Sequence, residues 1–341
     1  MLTLIVPGLI WTRQALADLT GDLPLPAFTT LPGRGRLTQR PPLDTAAVLA
    51  EIAGLAAPLP AAALRRLAQG EHPDPEDHCD WLCLDPVRLS FHGRSLSVDD
   101  PQNLRLTEDE AAALAVALAP TFAALGRLEV LSAEHWNLRL VATAPAFQPL
   151  PEAAGRAAAP LPLAAPHAPW RRALNEAQMV LHAHPVNQAR AAAGLPVVNS
   201  LWPWGGGRLP EAGTPSRSNA AALDALWSDD PVARGIARLL QIDGTTLPAS
   251  LRASTARRPL AVFDALEHPA RSGDAIVWRD ELARLEADWL APALADLGKG
   301  RLGALRLIAP GEFAAAELQV SRRDMWKFWR KPRALAELVA Q

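Results

Sequence analysis

The sequence predicts an α/β fold. Residues 2–6 (LTLIV) form a short continuous apolar run, as a strand buried on both faces of a parallel sheet does, and 260–266 (LAVFDAL) and 304–309 (ALRLIA) are further strand candidates. Longer segments with apolar residues at helical spacing lie among them, as at 274–297, where Ile276, Leu282, Leu285, Trp289 and Leu290 are expected to form the core stripe. Alternation of the two patterns points to helices layered on a sheet.

At 341 residues the chain can hold one large core with an inserted lobe. A net charge of -2 argues against a broad nucleic-acid surface, and no apolar run is long enough to span a bilayer. The expected partners therefore include neither nucleic acid nor membrane. Residues 1–10 lack a basic leader and a small-residue cleavage site, so they read as a first buried strand. Cys79 and Cys83 are too few for a disulfide framework, and no second pair completes a zinc site. A reducing cytoplasm is the expected location.

Residues 20–42, rich in Pro, Gly and Thr, read as a solvated loop; Thr29, Thr30 and Thr38 are its hydroxyls, with no base beside them. Asp44 is placed to cap a helix from Thr45 to about Gly54, and another is expected from about Ala61 to Gly70. The loop EHPDPEDHC gathers His72, Asp74, Glu76, Asp77, His78 and Cys79, residue types that ligate metals, but Pro73 and Pro75 mark an exposed turn. Strand and hairpin signals lead to Thr107, which with Glu110 forms a capping box. Strands are expected at 127–131 and 137–141, and an extended connection over 142–169. A helix then runs from Trp170 to His184. Ser218 is expected to cap a helix from Asn219 to Trp227, and Asp230-Pro231 to open another. The tail SRRDMWKFWRKP sets Trp326 and Trp329 among Arg322, Arg323, Lys327, Arg330 and Lys331. It reads as a terminal helix docking both tryptophans on the core, with an aromatic-basic patch for a phosphate or an acidic partner as the alternative.

The least ordinary stretch is LHAHPVNQARAAAGLPVVNSLWPWGGGRLP, residues 181–210. Pro185 opens a short helix carrying Asn187 and Arg190, and Gly194 is placed to cap it. Asn199, Trp202, Trp204 and Gly205 to Gly207 follow, a glycine run through which backbone approaches a ligand closely or takes positive φ. Asn187, Arg190, Asn199, Trp202 and Arg208 are the ligand-binding candidates, for an anion or sugar phosphate. Packing of a strand-to-loop corner is the alternative use of the same residues.

This stretch resembles the motif of archaeal-type cofactor-independent phosphoglycerate mutases, which belong to the alkaline-phosphatase superfamily. It resembles more closely a bacterial subgroup of phosphoglycerate-mutase-like proteins, some labelled regulators of pathogenicity-factor production. The resemblance implies an alkaline-phosphatase-like three-layer α/β/α core from residues 1–84 and 181–341, with an inserted α+β lobe at 85–180. It also implies where metal ligands should stand. The first strand of the mutases ends in Asp-Gly; here it ends in Pro7-Gly8. Glu267, Arg271 and Gly273-Asp274 align in outline with a motif in which an Asp and a His four residues apart precede a Gly-Asp pair. Glu267, His268 and Asp274 are thus the remaining metal candidates, while the Arg271 guanidinium cannot ligate. An Asp-His pair and a later His should follow the next strand, yet no histidine follows His268. Where the mutases carry an Arg-Cys-Asn cluster, Leu84-Asp85-Pro86 stands.

The expected function is that of a phosphoglycerate-mutase-like pseudoenzyme with a degenerate metal site, no catalytic residues and no cofactor. It would be regulatory or ligand-sensing, binding a sugar phosphate, another anionic small molecule or a protein partner. One alternative is an active 2,3-bisphosphoglycerate-independent phosphoglycerate mutase or phosphatase with displaced ligands and a divalent Mn or Zn. Another is an interaction module using the C-terminal Trp/Arg segment.

Overall fold

The computed structural model describes residues 1–70, 80–92, 95–99, 101–156, 164–209, 223–253 and 256–338. The acidic loop at 71–79 and the Ser218 cap lie outside the described residues. The chain forms two compact units, one from Met1–Ala57 with Gly213–Gln341 and one from Pro58–Ala212.

Described strands, in chain order, are β1 (Leu2–Ile5), β2 (Arg36–Arg40), β3 (Trp81–Val87), β4 (Leu89–His92), β5 (Ser95–Val98), β6 (Gly126–Val130), β7 (Trp136–Leu140), β8 (Ser200–Gly207), β9 (Ala225–Trp227), β10 (Asp243–Thr245), β11 (Pro259–Val262), β12 (Ala304–Ala309) and β13 (Ala315–Ser321). The first unit holds a seven-stranded sheet in the order β10-β9-β11-β1-β12-β13-β2. Its pairs are parallel from β10 through β12 and antiparallel at β13 and β2. Leu4 sits opposite Ala261 on one side and Leu307 on the other, so β1 is central. Leu2, Leu4 and Val6 join one core cluster, and the alternating Thr3 and Ile5 are as deeply buried. Continuous apolarity follows from burial on both faces.

Helices in this unit begin where local chemistry starts them. Asp44 accepts from Ala47 N at the head of Thr45–Ala53, which ends on left-handed Gly54, and Asp230 accepts from Val232 N at the head of Pro231–Leu239. Ala275–Leu285 continues through a π-helical turn, Glu286–Leu290, into Ala291–Lys299. Its core stripe is Trp278, Leu282, Leu285 and Trp289. Ile276 is off this stripe and exposed, against expectation, because its phase is set by the 278-282-285-289 spacing.

Other expectations give way to long-range packing. Residues 26–34 are a helix and 36–40 an edge strand rather than a loop. The helix start at Ala27 and Phe28 is satisfied from afar, by the Glu286 carboxylate at 2.7 and 2.8 Å. Ala225-Leu226-Trp227 is a buried strand between β10 and β11, not the end of a helix.

The second unit is an antiparallel sheet, β6-β7-β3-β8, with the β4–β5 hairpin. Strands 81–87 and 200–207 pair here, so the expected division at 85 and 180 is replaced by one near 58 and 212. Helices Glu108–Phe122 and Ala168–Ala183 bury Leu114, Leu118, Leu174 and Leu181 against Leu82, Leu84 and Leu138. Thr107 and Glu110 form the expected capping box.

On the other face lies helix Ala61–Ala68. Alternation along β3 turns Asp85 toward it, and Asp85 becomes this unit's polar hub. Its carboxylate accepts from Arg65 at 2.8 and 2.9 Å, from Trp136 N at 3.0 Å and from Trp204 Nε1 at 2.7 Å. The Arg65 guanidinium also lies 4.9 Å from the Trp204 ring centroid.

Candidate functional site

In an open α/β sheet, ligands bind beyond the carboxyl ends of the strands, where the strand order reverses. For the first unit that place is the end of β1, flanked by β11 and β12. Val6 donates to Ile308 O and Phe263 to Ile5 O, which carries the ladder up to Pro7-Gly8. Gly8 has φ +76, and a β-carbon built on it would lie 2.4 Å from the Leu266 carbonyl oxygen and 2.6 Å from Glu267 Cα. Backbone of residues 266–267 therefore leaves position 8 room for glycine only, and the side chain at the expected ligand position is that of Pro7. Trp278 Nε1 donates to Gly8 O at 2.8 Å, and Trp11 packs 5.4 Å from the Trp278 ring. Beyond β12, Gly311 exchanges backbone bonds with Leu43 at 3.0 and 3.1 Å.

The acidic groups gather one strand over, past β9 and β11. Asp230 caps its helix, and Asp229 accepts from Leu247 N at 3.4 Å. Glu267 is ion-paired to Arg271 at 2.5 Å, and Asp274 accepts from Val277 N to cap helix 275–285. Two of the expected metal candidates are thus committed to an ion pair and a cap. His268 sits in the same turn.

Asp264, missed by the sequence reading, stands at the carboxyl end of β11. Burial, reinforced by the charges of Asp229, Glu267 and Asp230, pushes its carboxyl up from 3.8 to about 6. Asp264 and His268 are four residues apart, with Gly273-Asp274 following. This is the Asp-to-His spacing that the resemblance assigned to Glu267 and Arg271, three residues earlier along the chain. The available signal was an acidic residue directly after the apolar run LAVF.

A raised carboxyl stabilises the fold most below its ordinary value of 3.8, and that contribution is lost as pH rises through about 6. Asp264→Asn is therefore expected to be more stable than the parent above pH 7, by up to roughly 3 kcal/mol, with the difference vanishing below pH 4. Urea melts at the two pH values check the sign.

The ligand-binding candidates of the central stretch all fall in the second unit, each hydrogen-bonded within it. Asn187 donates to Leu181 O and Val198 O and accepts from Val198 N, stitching helix Pro185–Ala192 to the entry of β8. Arg190 is 2% exposed and spends its guanidinium on Pro196 O, Glu110 and Leu104 O. Asn199 brackets Leu89 through both its N–H and its carbonyl. Trp202 Nε1 donates to Gln148 O, and Arg208 pairs with Asp80. The glycines admit protein rather than ligand: a β-carbon on Gly205 (φ +60) would meet Ala61 Cβ at 2.6 Å, and one on Gly206 would meet Leu82 Cδ1 at 2.9 Å. The tight packing of helix 61–68 on β8 requires glycine at 205.

Among the described residues, no group of three or more His, Cys, Asp or Glu side chains is placed to hold a metal ion. A two-metal centre draws carboxylate and imidazole donors from several strand ends, and at the end of β1 itself Pro7 and Gly8 supply none.

No protein-family model matches the chain, and no curated protein matches it. Solved structures do. The PH0037 protein of Pyrococcus horikoshii matches with a TM-score of 0.57 at 15% identity, over 98% of this chain and 91% of that one. A cofactor-independent phosphoglycerate mutase from Thermoplasma acidophilum DSM 1728 matches with a TM-score of 0.50 at 16% identity, over 100% of this chain and 95% of that one. The fold is alkaline-phosphatase-like. Identities this low establish the architecture and leave the chemistry to the residues.

Proposed function

We propose that this chain is a phosphoglycerate-mutase-like protein that has given up two-metal phosphoryl transfer and acts as a regulatory partner, akin to the bacterial regulator subgroup its central stretch resembles. One observation carries the reading. At the end of β1, where the resembled mutases carry the Asp of an Asp-Gly pair, the chain has Pro7 before Gly8, and a proline side chain has no donor atom for a metal. A carboxylate there would need a different residue. The lack of any histidine beyond His268 removes the imidazoles that the ends of the later strands would supply. A sugar phosphate held by the central stretch receives little support, since those side chains already bond to the chain itself.

The Asp264–His268 spacing and the carboxylates around it favour one rival, an active Mn- or Zn-dependent mutase or phosphatase with displaced ligands. Assays with 3-phosphoglycerate and with p-nitrophenyl phosphate, each with added Mn²⁺ or Zn²⁺, separate the two. The proposal expects no turnover above that of Asp264→Asn. Turnover abolished both by chelation and by that substitution would establish the rival.

A further inference from the structure

The tail contradicts its expected role. Trp326 is 76% exposed, Phe328 74% and Trp329 69%, so neither tryptophan docks on the core. Phe328 and Trp329 pack edge to face on each other, with centroids 5.4 Å apart, in open solvent. Consecutive large aromatics left in water are costly, and such patches mark surfaces that something covers.

The segment is also held in place. At its start Ser321 and Asp324 form a capping box over the turn Arg322–Trp326, and Asp324 binds Lys327 at 2.5 Å. At its end Arg333 N donates to Thr29 O at 2.9 Å, and Leu335 is buried. Between these points Lys331 passes so close to Gly33 that a β-carbon there would lie 2.5 Å from its carbonyl oxygen. The aromatics are thus presented on a strap tied at both ends.

Cations flank them. Arg322, Arg323, Arg330, Lys331 and Arg333 are exposed and have no carboxylate partner among the described residues. The strap's own carboxylate, Asp324, is already spent on Lys327 and Ser321. Beside it runs a groove lined by Thr30, Arg34, Arg322, Met325 and Trp326, which sets two guanidinium groups and a hydroxyl next to an exposed indole.

We propose that the strap at residues 322–333 is a peripheral membrane-binding surface that inserts Trp326, Phe328 and Trp329 into the interface of an anionic bilayer. Indole rings favour the headgroup level, where an apolar body and a polar N–H are both satisfied, and clustered Arg and Lys are drawn to anionic lipid. A bilayer accepts adjacent aromatics in any orientation, whereas a protein partner would need a matched pocket for each. The expectation of no membrane partner rested on the lack of a spanning segment. Among the described residues no helix is long and apolar enough to cross a membrane, but a surface-bound strap needs none. This inference stands apart from the fate of the metal site.

The test uses the full chain and vesicles of phosphatidylcholine, with and without about 30% phosphatidylserine. Co-sedimentation should occur with the anionic vesicles, weaken with salt and be accompanied by quenching of tryptophan fluorescence by brominated lipid. The variant Trp326→Ser, Phe328→Ser, Trp329→Ser and the variant Arg323→Ser, Arg330→Ser, Lys331→Ser should each lose at least about tenfold in partitioning. Both should keep the parental melting temperature, since the changed side chains are exposed. The proposal is overturned if the parent prefers neither vesicle type, or if the aromatic variant binds like the parent. Soluble polyglutamate binding as tightly as the vesicles, without quenching by brominated lipid, would also overturn it and indicate an acidic protein as the occupant.

Discussion

Asp85→Ala should destabilise the second unit by about 3–5 kcal/mol, the range for breaking a buried ion pair from one side. Asp85 is 1% exposed, and its carboxylate joins helix 61–68, β7 and β8 through Arg65, Trp136 N and Trp204 Nε1. Alanine takes the Asp85 carboxylate away from the buried Arg65 guanidinium and orphans two N–H donors. Asp85→Asn keeps the volume and part of the hydrogen bonding, so it should cost less than the alanine but well over 1 kcal/mol. Urea denaturation followed by tryptophan fluorescence reads the effect. A loss below about 1 kcal/mol for the alanine variant would mean that the hub is relieved by water or by repacking.

Arg190→Ala should cost a similar amount, about 3–5 kcal/mol, and should do so whether or not any ligand is present. Three elements meet at this guanidinium: the turn at Pro196, the head of helix 108–122 through Glu110, and the Leu104 carbonyl. Burial pushes the Glu110 carboxyl up, but the Thr107 backbone N–H and the Arg190 guanidinium outweigh it and hold Glu110 below the usual carboxylate range. A depressed carboxyl lends stability above its unfolded pKa and loses it as pH falls through the folded one. The part of the Arg190→Ala penalty that passes through Glu110 should therefore fade under acid, leaving the cost of the lost carbonyl bonds. A variant as stable as the parent at pH 7, but weaker toward an anion, would restore the ligand reading of the central stretch.

The contrast between these residues and their expected roles shows where sequence reasoning reaches. Caps were legible because they are local: Asp44, Thr107 with Glu110, and Asp230 each bind an N–H two or three residues ahead. Buried strands β1 and β12 were legible because burial in the sheet makes them largely apolar, with only Thr3 and Arg306 interrupting. Strand β9 was not, since its three residues owe their state to β10 and β11, which pair with it from later in the chain.

The same distance limit explains the candidate site. Asn187, Arg190 and Asn199 looked like ligand groups because polar side chains in an unusual stretch have no visible partner in sequence. Arg190 bonds Leu104 and Glu110 and Asn199 bonds Leu89, some 80 to 110 residues away, while Asn187 bonds Leu181 and Val198 across a turn that the sequence does not show. Gly205 and Gly206 announced a close approach correctly, but the approaching groups are Ala61 and Leu82. Asp264 went unread because the expected strand extends to Leu266 and takes Asp264 inside it, whereas the β11 ladder stops at Val262. Only the strand's true end fixes which acidic residue faces the switch point.

The measurement that bears most directly on the loss of two-metal chemistry is the Mn, Zn and Fe content of the purified, unchelated protein by plasma mass spectrometry, with circular dichroism to show that it is folded. A folded chain should carry well under about 0.2 equivalents of each metal, because the end of β1 offers no ligand and no histidine follows His268. Close to two equivalents per chain, held through gel filtration and lost together with a phosphoryl-transfer activity, would contradict that account.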